Sequence, residues 1–167
     1  MFSQTQEYAL RAVIYLARAK DEGPIGVAVV AEATKVPPSY LAKVLQMLVA
    51  ADILASRRGV GGGFSLVADP DLLSPLAVIN AVDPIRRIES CPLGLVSHGI
   101  NLCPLHHRLD GALAHIEAVL DEASISEMMV PGKRPQPLLE TEPPKKRATK
   151  KTTKKRPANR ARKNARS

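Results

Sequence analysis

The stretch SRRGVGGGFSL, residues 56–66, sets four glycines in five positions between two short apolar runs. Ile53-Leu54-Ala55-Ser56 leads into it and Phe64-Ser65-Leu66-Val67 leads out. Strand-type runs joined by so glycine-rich a loop predict an antiparallel hairpin. A phosphate-cradling loop is excluded. Gly59 and Gly61 fit the start of GxGxxG, but Phe64 stands where the third glycine belongs, and no Gly-Lys-Ser/Thr follows.

Helices fill the chain before the hairpin. From Thr5 to Ala19 the residues Tyr8, Ala9, Ala12, Val13, Tyr15 and Leu16 recur at three- and four-residue spacing, which predicts an amphipathic helix ended by Gly23 and Pro24. A short helix over Val27–Ala33, the turn Thr34-Lys35-Val36-Pro37 and a stronger helix over Pro38–Ala51 follow. Pro38 suits a first helical turn because it has no amide hydrogen to leave unpaired. Leu41, Val44, Leu45 and Leu48 make that helix's buried stripe, leaving Ser39, Tyr40, Lys43 and Gln46 outward. Two helices across a tight turn, the second polar and basic near its start, meet the requirement for placing side chains in a major groove. On its own the pattern also fits two helices that merely pack together. The hairpin settles the reading: a helix-turn-helix followed at once by a loop based on Arg57 and Arg58 is a winged helix, whose arginines suit phosphates or a narrow minor groove.

With no Trp, two Phe and three Tyr in 167 residues, the core must be built from Leu, Val, Ile and Ala, so the fold class is mainly α with a small β-hairpin wing. No basic start precedes an apolar run at the N-terminus, and no run approaches the roughly 20 apolar residues of a membrane span. A cytoplasmic, nucleoid-associated protein without a membrane partner is expected, with Cys91 and Cys103 kept as thiols or metal ligands. The net charge of +8 is divided unevenly: residues 1–132 carry ten basic and fourteen acidic side chains, while residues 133–167 carry fourteen basic and two acidic. That tail has too few large apolar residues to repay the entropy of folding, so it reads as a disordered arm for polyanions rather than a merely solubilising extension.

Pro104 to Glu122 reads as one long helix with Leu105, Leu109, Ala112, Leu113, Ile116, Val119 and Leu120 along a face. A small winged domain does not cover such a stripe alone; a second copy would, and would present two recognition helices to two half-sites. Ser124 and Glu127 have capping-box spacing and predict a last short turn. Between the halves, ESCPLGLVSHGINLCPLHHRLDG brings Cys91, His98, Cys103, His106 and His107 close in sequence. Thiolates and imidazoles hold zinc or an iron-sulfur cluster, yet eleven residues separate the cysteines and no CxxC is present, so no standard zinc pattern fits.

EYALRAVIYLA, and then VPPSYLAKVLQMLVAADILASRRGVGGGFSLV, resemble the bacterial Rrf family of winged-helix transcription regulators, which includes iron-sulfur cluster regulators and nitric-oxide sensors. The resemblance covers roughly residues 1–130, and the serine-arginine-glycine wing is its most specific element. It implies a homodimer on a near-palindromic operator of double-stranded DNA, with contacts from Ser39, Tyr40, Lys43, Arg57, Arg58 and Gly59. It also implies that Cys91 and Cys103 match the outer two of three cluster cysteines, that His106 falls at a histidine ligand, and that Glu7 falls where some members supply an acidic ligand from the other subunit. The middle cysteine is absent and His98 is the nearest replacement. Three outcomes stay open: a mixed-ligand cluster, of which 2Fe-2S suits two thiolates best, a thiol redox switch, or a regulator without cofactor.

The expected organisation is a DNA-binding domain over 1–83, a sensor loop over 84–103, a dimerisation helix over 104–130 and a Lys/Arg-rich tail over 131–167. The expected function is a homodimeric repressor responding to redox, iron-sulfur or nitric-oxide status, with no small-molecule substrate. An enzyme using Cys91 or Cys103 with His106 or His107 is disfavoured because no nucleophile motif is present. An architectural, nucleoid-type DNA-binding protein is the other alternative.

Overall fold

The computed structural model describes residues 2–95 and 101–130; His98 and the basic tail lie outside them. Helix α1, Gln4–Arg18, begins at a capping box in which Ser3 Oγ accepts from Gln6 N at 3.3 Å and Gln6 Oε1 accepts from Ser3 N at 2.8 Å. Its Ala9, Ala12, Val13 and Leu16 are buried, as their spacing requires. A single 3-10 turn, Lys20–Glu22, separates the helix from Gly23.

Helices α2, Val27–Thr34, and α3, Pro38–Ala50, pack on α1. Leu41, Val44, Leu45 and Leu48 are all completely buried. Each such side chain contributes on the order of 1.5–3 kcal/mol. Strands β1, Leu54–Arg57, and β2, Gly63–Leu66, form the hairpin, in the register Leu54 with Leu66 and Arg57 with Gly63. Phe64 also exchanges backbone hydrogen bonds with Ile25 at 2.8 and 2.9 Å, which fastens the hairpin beside the start of α2.

Helix α4, Pro75–Val82, is the element the sequence reading did not assign. Its signals are Ser74, whose Oγ accepts from Ala77 N, and Pro75 in the first turn. Helix α5, Pro104–Glu122, follows the expected bounds. The other expected helices and strands are met within one residue at each end. Helix α6, Ile125–Met129, is the capped last turn, and Ile125 reaches the winged-domain core with no exposure. Its amide donates to Leu73 O at 2.9 Å, and Ser74 Oγ donates to Asp121 Oδ1 at 3.0 Å, so the end of α5 is pinned to the loop before α4. The architecture is mainly helical with a two-stranded hairpin, as expected from the sequence. Among the described residues no helix is long and apolar enough to cross a membrane.

Candidate nucleic-acid interface and the Cys91–Cys103 stretch

The turn between α2 and α3 is closed locally. Thr34 Oγ1 donates to Val30 O at 2.7 Å, Lys35 takes a left-handed φ of 57°, and Val36 N donates to Ala31 O at 3.1 Å. Val36 is thereby buried and Pro37 delivers the chain to α3. Ser39, Lys43 and Gln46 stand exposed, as read from the sequence. Tyr40 is exposed as well, at 40%, and also places its hydroxyl 2.5 Å from Thr5 Oγ1 and meets Tyr8 edge to face, with ring centroids 5.6 Å apart.

Arg57 ends β1, and Arg58 with Gly59 starts the loop; all three are exposed, and among the described residues neither arginine has an ion-pair partner. Val60 is fully exposed at the tip. The glycines answer first to the chain's own backbone. Gly59 has φ +93°, and a Cβ on Gly63 would lie 2.3 Å from the carbonyl of Ile25. The hairpin therefore sits tight against the chain before α2, with its two arginines displayed beyond that contact.

Cys91 is 8% exposed, and its carbonyl accepts from Gly94 N at 2.9 Å. Cys103 is the residue just before α5, where its Sγ lies 3.3 Å from His106 Nδ1. Glu7 is ion-paired with Arg11 on α1. Among the described residues no three His, Cys, Asp or Glu side chains come together to hold a metal ion. Cys103 and His106 are thus brought together in one chain, and among the described residues neither Cys91 nor Glu7 joins them in a group of three.

Sequence reasoning missed the ion cluster that ties the segment before Cys91 to α5. Arg87 donates from Nε to Asp110 Oδ1 at 2.7 Å, from Nη2 to Asp110 Oδ2 at 2.6 Å, and from Nη1 to Glu117 Oε2 at 3.2 Å. Ile88 N adds a fourth bond, to Asp110 Oδ1 at 2.9 Å. These donors, Arg87 before Ile88, hold the Asp110 carboxyl down from 3.8 to about 2, and the two carboxylates raise the Arg87 pKa. Asp110 and Glu117 are seven residues apart, two turns of one face, which was the available signal.

No residue of α5 is buried. Leu105, Leu109, Ile116 and Val119 are 64%, 47%, 40% and 53% exposed. A cavity of about 310 Å³ lies between the middle of this helix and the start of α1, walled by Phe2, Gln6, Ile85, Leu113 and Ile116 among others.

Residues 2–131 match the Rrf2 family, described as iron-dependent transcriptional regulators. The regulator IscR of Aliivibrio salmonicida is 32% identical over 123 residues, which is 74% of this chain and 73% of that protein. Among solved structures, IscR of T. potens aligns with a TM-score of 0.64 at 23% identity, over 77% of this chain and 85% of that one. CymR of B. subtilis, titled the global cysteine regulator, aligns with a TM-score of 0.64 at 24% identity, over 77% of this chain and 95% of that one. At those identities the structures speak for the fold. The relatives are transcription regulators, not enzymes, and regulators of this family bind DNA. With the family matched from Phe2 to Pro131 and the winged helix in place, the chain belongs to the Rrf2 family of transcription regulators.

Proposed function

We propose that the chain acts as a homodimeric repressor that reads a two-fold operator through α3 and the β1–β2 loop, and that a redox, iron-sulfur or nitric-oxide signal received between Cys91 and Cys103 changes its grip. The observation that carries the DNA reading is the succession of α2, turn, α3 and hairpin, with Ser39, Tyr40 and Lys43 on the first surface and Arg57, Arg58 and the Gly59 backbone on the second. A helix in the major groove reads base edges, while arginines on a loop supply phosphate and minor-groove contacts.

The dimer reading rests on α5. Its exposed leucine, isoleucine and valine side chains form an apolar stripe on a helix about 28 Å long. Covering that stripe with its copy buries it on both chains and sets two recognition helices about 34–36 Å apart, one turn of DNA.

The sensing reading rests on Cys103 beside His106 at the start of the same helix. These two donors do not make a cluster site by themselves. A 2Fe-2S cluster would need Cys91 and His98 from the loop, or Glu7 from a second copy. The tail, with fourteen basic side chains in residues 133–167, adds affinity for any duplex and favours a cytoplasmic, nucleoid-associated protein.

Footprinting of the full chain on genomic fragments tests the regulator: one discrete two-fold protected site is expected, and uniform protection would mean an architectural coat instead. Visible absorbance of protein purified without oxygen, with iron and acid-labile sulfide assayed on the same sample, tests the sensor. A cluster spectrum lost in Cys91→Ala or Cys103→Ala identifies a cluster sensor. A colourless protein whose DNA affinity still responds to oxidant identifies a thiol switch, and a colourless, unresponsive one identifies a cofactor-free regulator.

A further inference from the structure

Helix α1 is not one of the two helices of the helix-turn-helix, yet its side chains hold both of them. Thr5, Tyr8 and Arg11 recur every three residues and so share one face of α1. Arg11 Nη1 reaches Thr34 O at 3.5 Å, the carbonyl of the last residue of α2. Carbonyls at a helix C-terminus lack intrahelical partners, and a cation is favourable there. Arg11 Nη2 is ion-paired with Glu7, which engages the second terminal nitrogen. Its Cζ lies 5.7 Å from the centroid of Tyr8, within cation–π range.

Tyr8 carries this anchorage across to α3. Its ring meets Tyr40 at an interplanar angle of 83°, and the Tyr40 hydroxyl is taken by Thr5 Oγ1. One face of α1 therefore grips the end of α2 through Thr34 and the beginning of α3 through Tyr40. Those two residues bound the turn whose angle decides how α3 enters a groove.

We infer that Arg11 is the positioning residue of the DNA-reading surface: through Tyr8 and Thr34 it sets the pose of α3, with Tyr40 as its attachment point beside Ser39 and Lys43. Arg11 itself does not reach for DNA. Its Nε is buried, both terminal nitrogens are engaged, and its side chain is 27% exposed. This inference rests on the reading of α3 and the hairpin loop as the DNA surface.

The test uses the full chain, the duplex it enriches from a random-sequence pool and a scrambled duplex of equal length. Arg11→Gln is expected to weaken binding to the enriched duplex about tenfold while leaving the scrambled duplex within about twofold, because pose and not charge has been altered. The slope of log Kd against log salt should not change, whereas giving up one phosphate would lower it by about 0.9. Arg11→Lys keeps the charge without the planar fork and should not restore the enriched-to-scrambled ratio. If Arg11→Gln does not fold, Tyr8→Leu, which keeps apolar bulk and gives up the ring, takes its place in the same assay. A fallen salt slope in Arg11→Gln or an unchanged ratio in the folded variant overturns the inference. Lys43→Ala and Arg58→Ala run alongside: if both bind as wild type, the DNA surface itself is misplaced; if both fail while Arg11→Gln is neutral, only the positioning role is lost.

Discussion

Arg87 grips Asp110 with two nitrogens at once, Nε on one carboxylate oxygen at 2.7 Å and Nη2 on the other at 2.6 Å. Folding lowers the Asp110 pKa from 3.8 to about 2, so the charged form is favoured in the native state. The resulting stability is complete above the ordinary value and disappears as pH falls through the folded one. The urea midpoint of wild type should therefore exceed that of Asp110→Asn at pH 6, and the gap should close between 3.8 and about 2. A gap independent of pH would show that the pair does not stabilise the fold electrostatically.

Leu45→Ala should be among the costliest single truncations, because Leu45 is completely buried on the inner stripe of α3. A loss of about 2–5 kcal/mol is expected from the transferred methyl groups and the cavity left behind. Urea unfolding measures it, and a loss under about 1 kcal/mol would mean that the core collapses into the space.

Gly63→Ala should damage the wing more than its single methyl suggests. The new Cβ would stand 2.3 Å from the Ile25 carbonyl, so the hairpin must move off the chain before α2. Destabilisation of about 1–3 kcal/mol is expected, together with faster amide exchange at Phe64, whose N–H donates to Ile25. Unchanged protection at that amide would place the strain elsewhere.

Arg58→Ala and removal of residues 133–167 should both weaken DNA binding with a reduced salt slope, but they should differ in scope. The point variant should lower the slope by about 0.9 for each phosphate it no longer neutralises and weaken an enriched duplex most. Truncation should weaken every duplex about equally. A changed preferred sequence after truncation would show that the tail reads bases.

Leu109→Glu with Ile116→Glu should yield monomers in sedimentation at micromolar concentration, since both positions lie on the apolar face of α5, at 47% and 40% exposure. The winged domain should still melt cooperatively, because no residue of α5 is buried in its core. A dimer that survives both charges must use another surface.

What could be read in the sequence depended on how local its cause was. Leu41, Val44, Leu45 and Leu48 announce their helix face because the spacing alone fixes it. The same holds for the hairpin, where turn chemistry lies within a few residues, and for the capping box at Ser124 and Glu127. Pro75–Val82 escaped because PLAVINAV is apolar nearly all round, leaving no polar stripe to reveal a period. The exposure of Tyr40 was legible, but not its contacts with Tyr8 and Thr5, since nothing near it in sequence announces them. Arg87 and Asp110 are 23 positions apart, and Ile125 reaches a core assembled far upstream; such contacts exist only once the fold does. The pairing of Cys103 with His106 was legible as one helical turn, whereas the whereabouts of Cys91 and Glu7 were not.

Helix α5 is fastened at two latitudes: Arg87 holds Asp110 and Glu117, while Ser74 and Leu73 hold Asp121 and the amide of Ile125. A helix clamped at two levels has its phase set as well as its position. One residue inserted between Glu117 and Asp121 would turn one clamp by about 100° relative to the other, and only additions near whole turns, about 3.6 residues each, would bring both back into line. The helix thus behaves as a keyed shaft, cut to a fixed number of turns, which cannot be rotated at one end without turning the winged domain at the other.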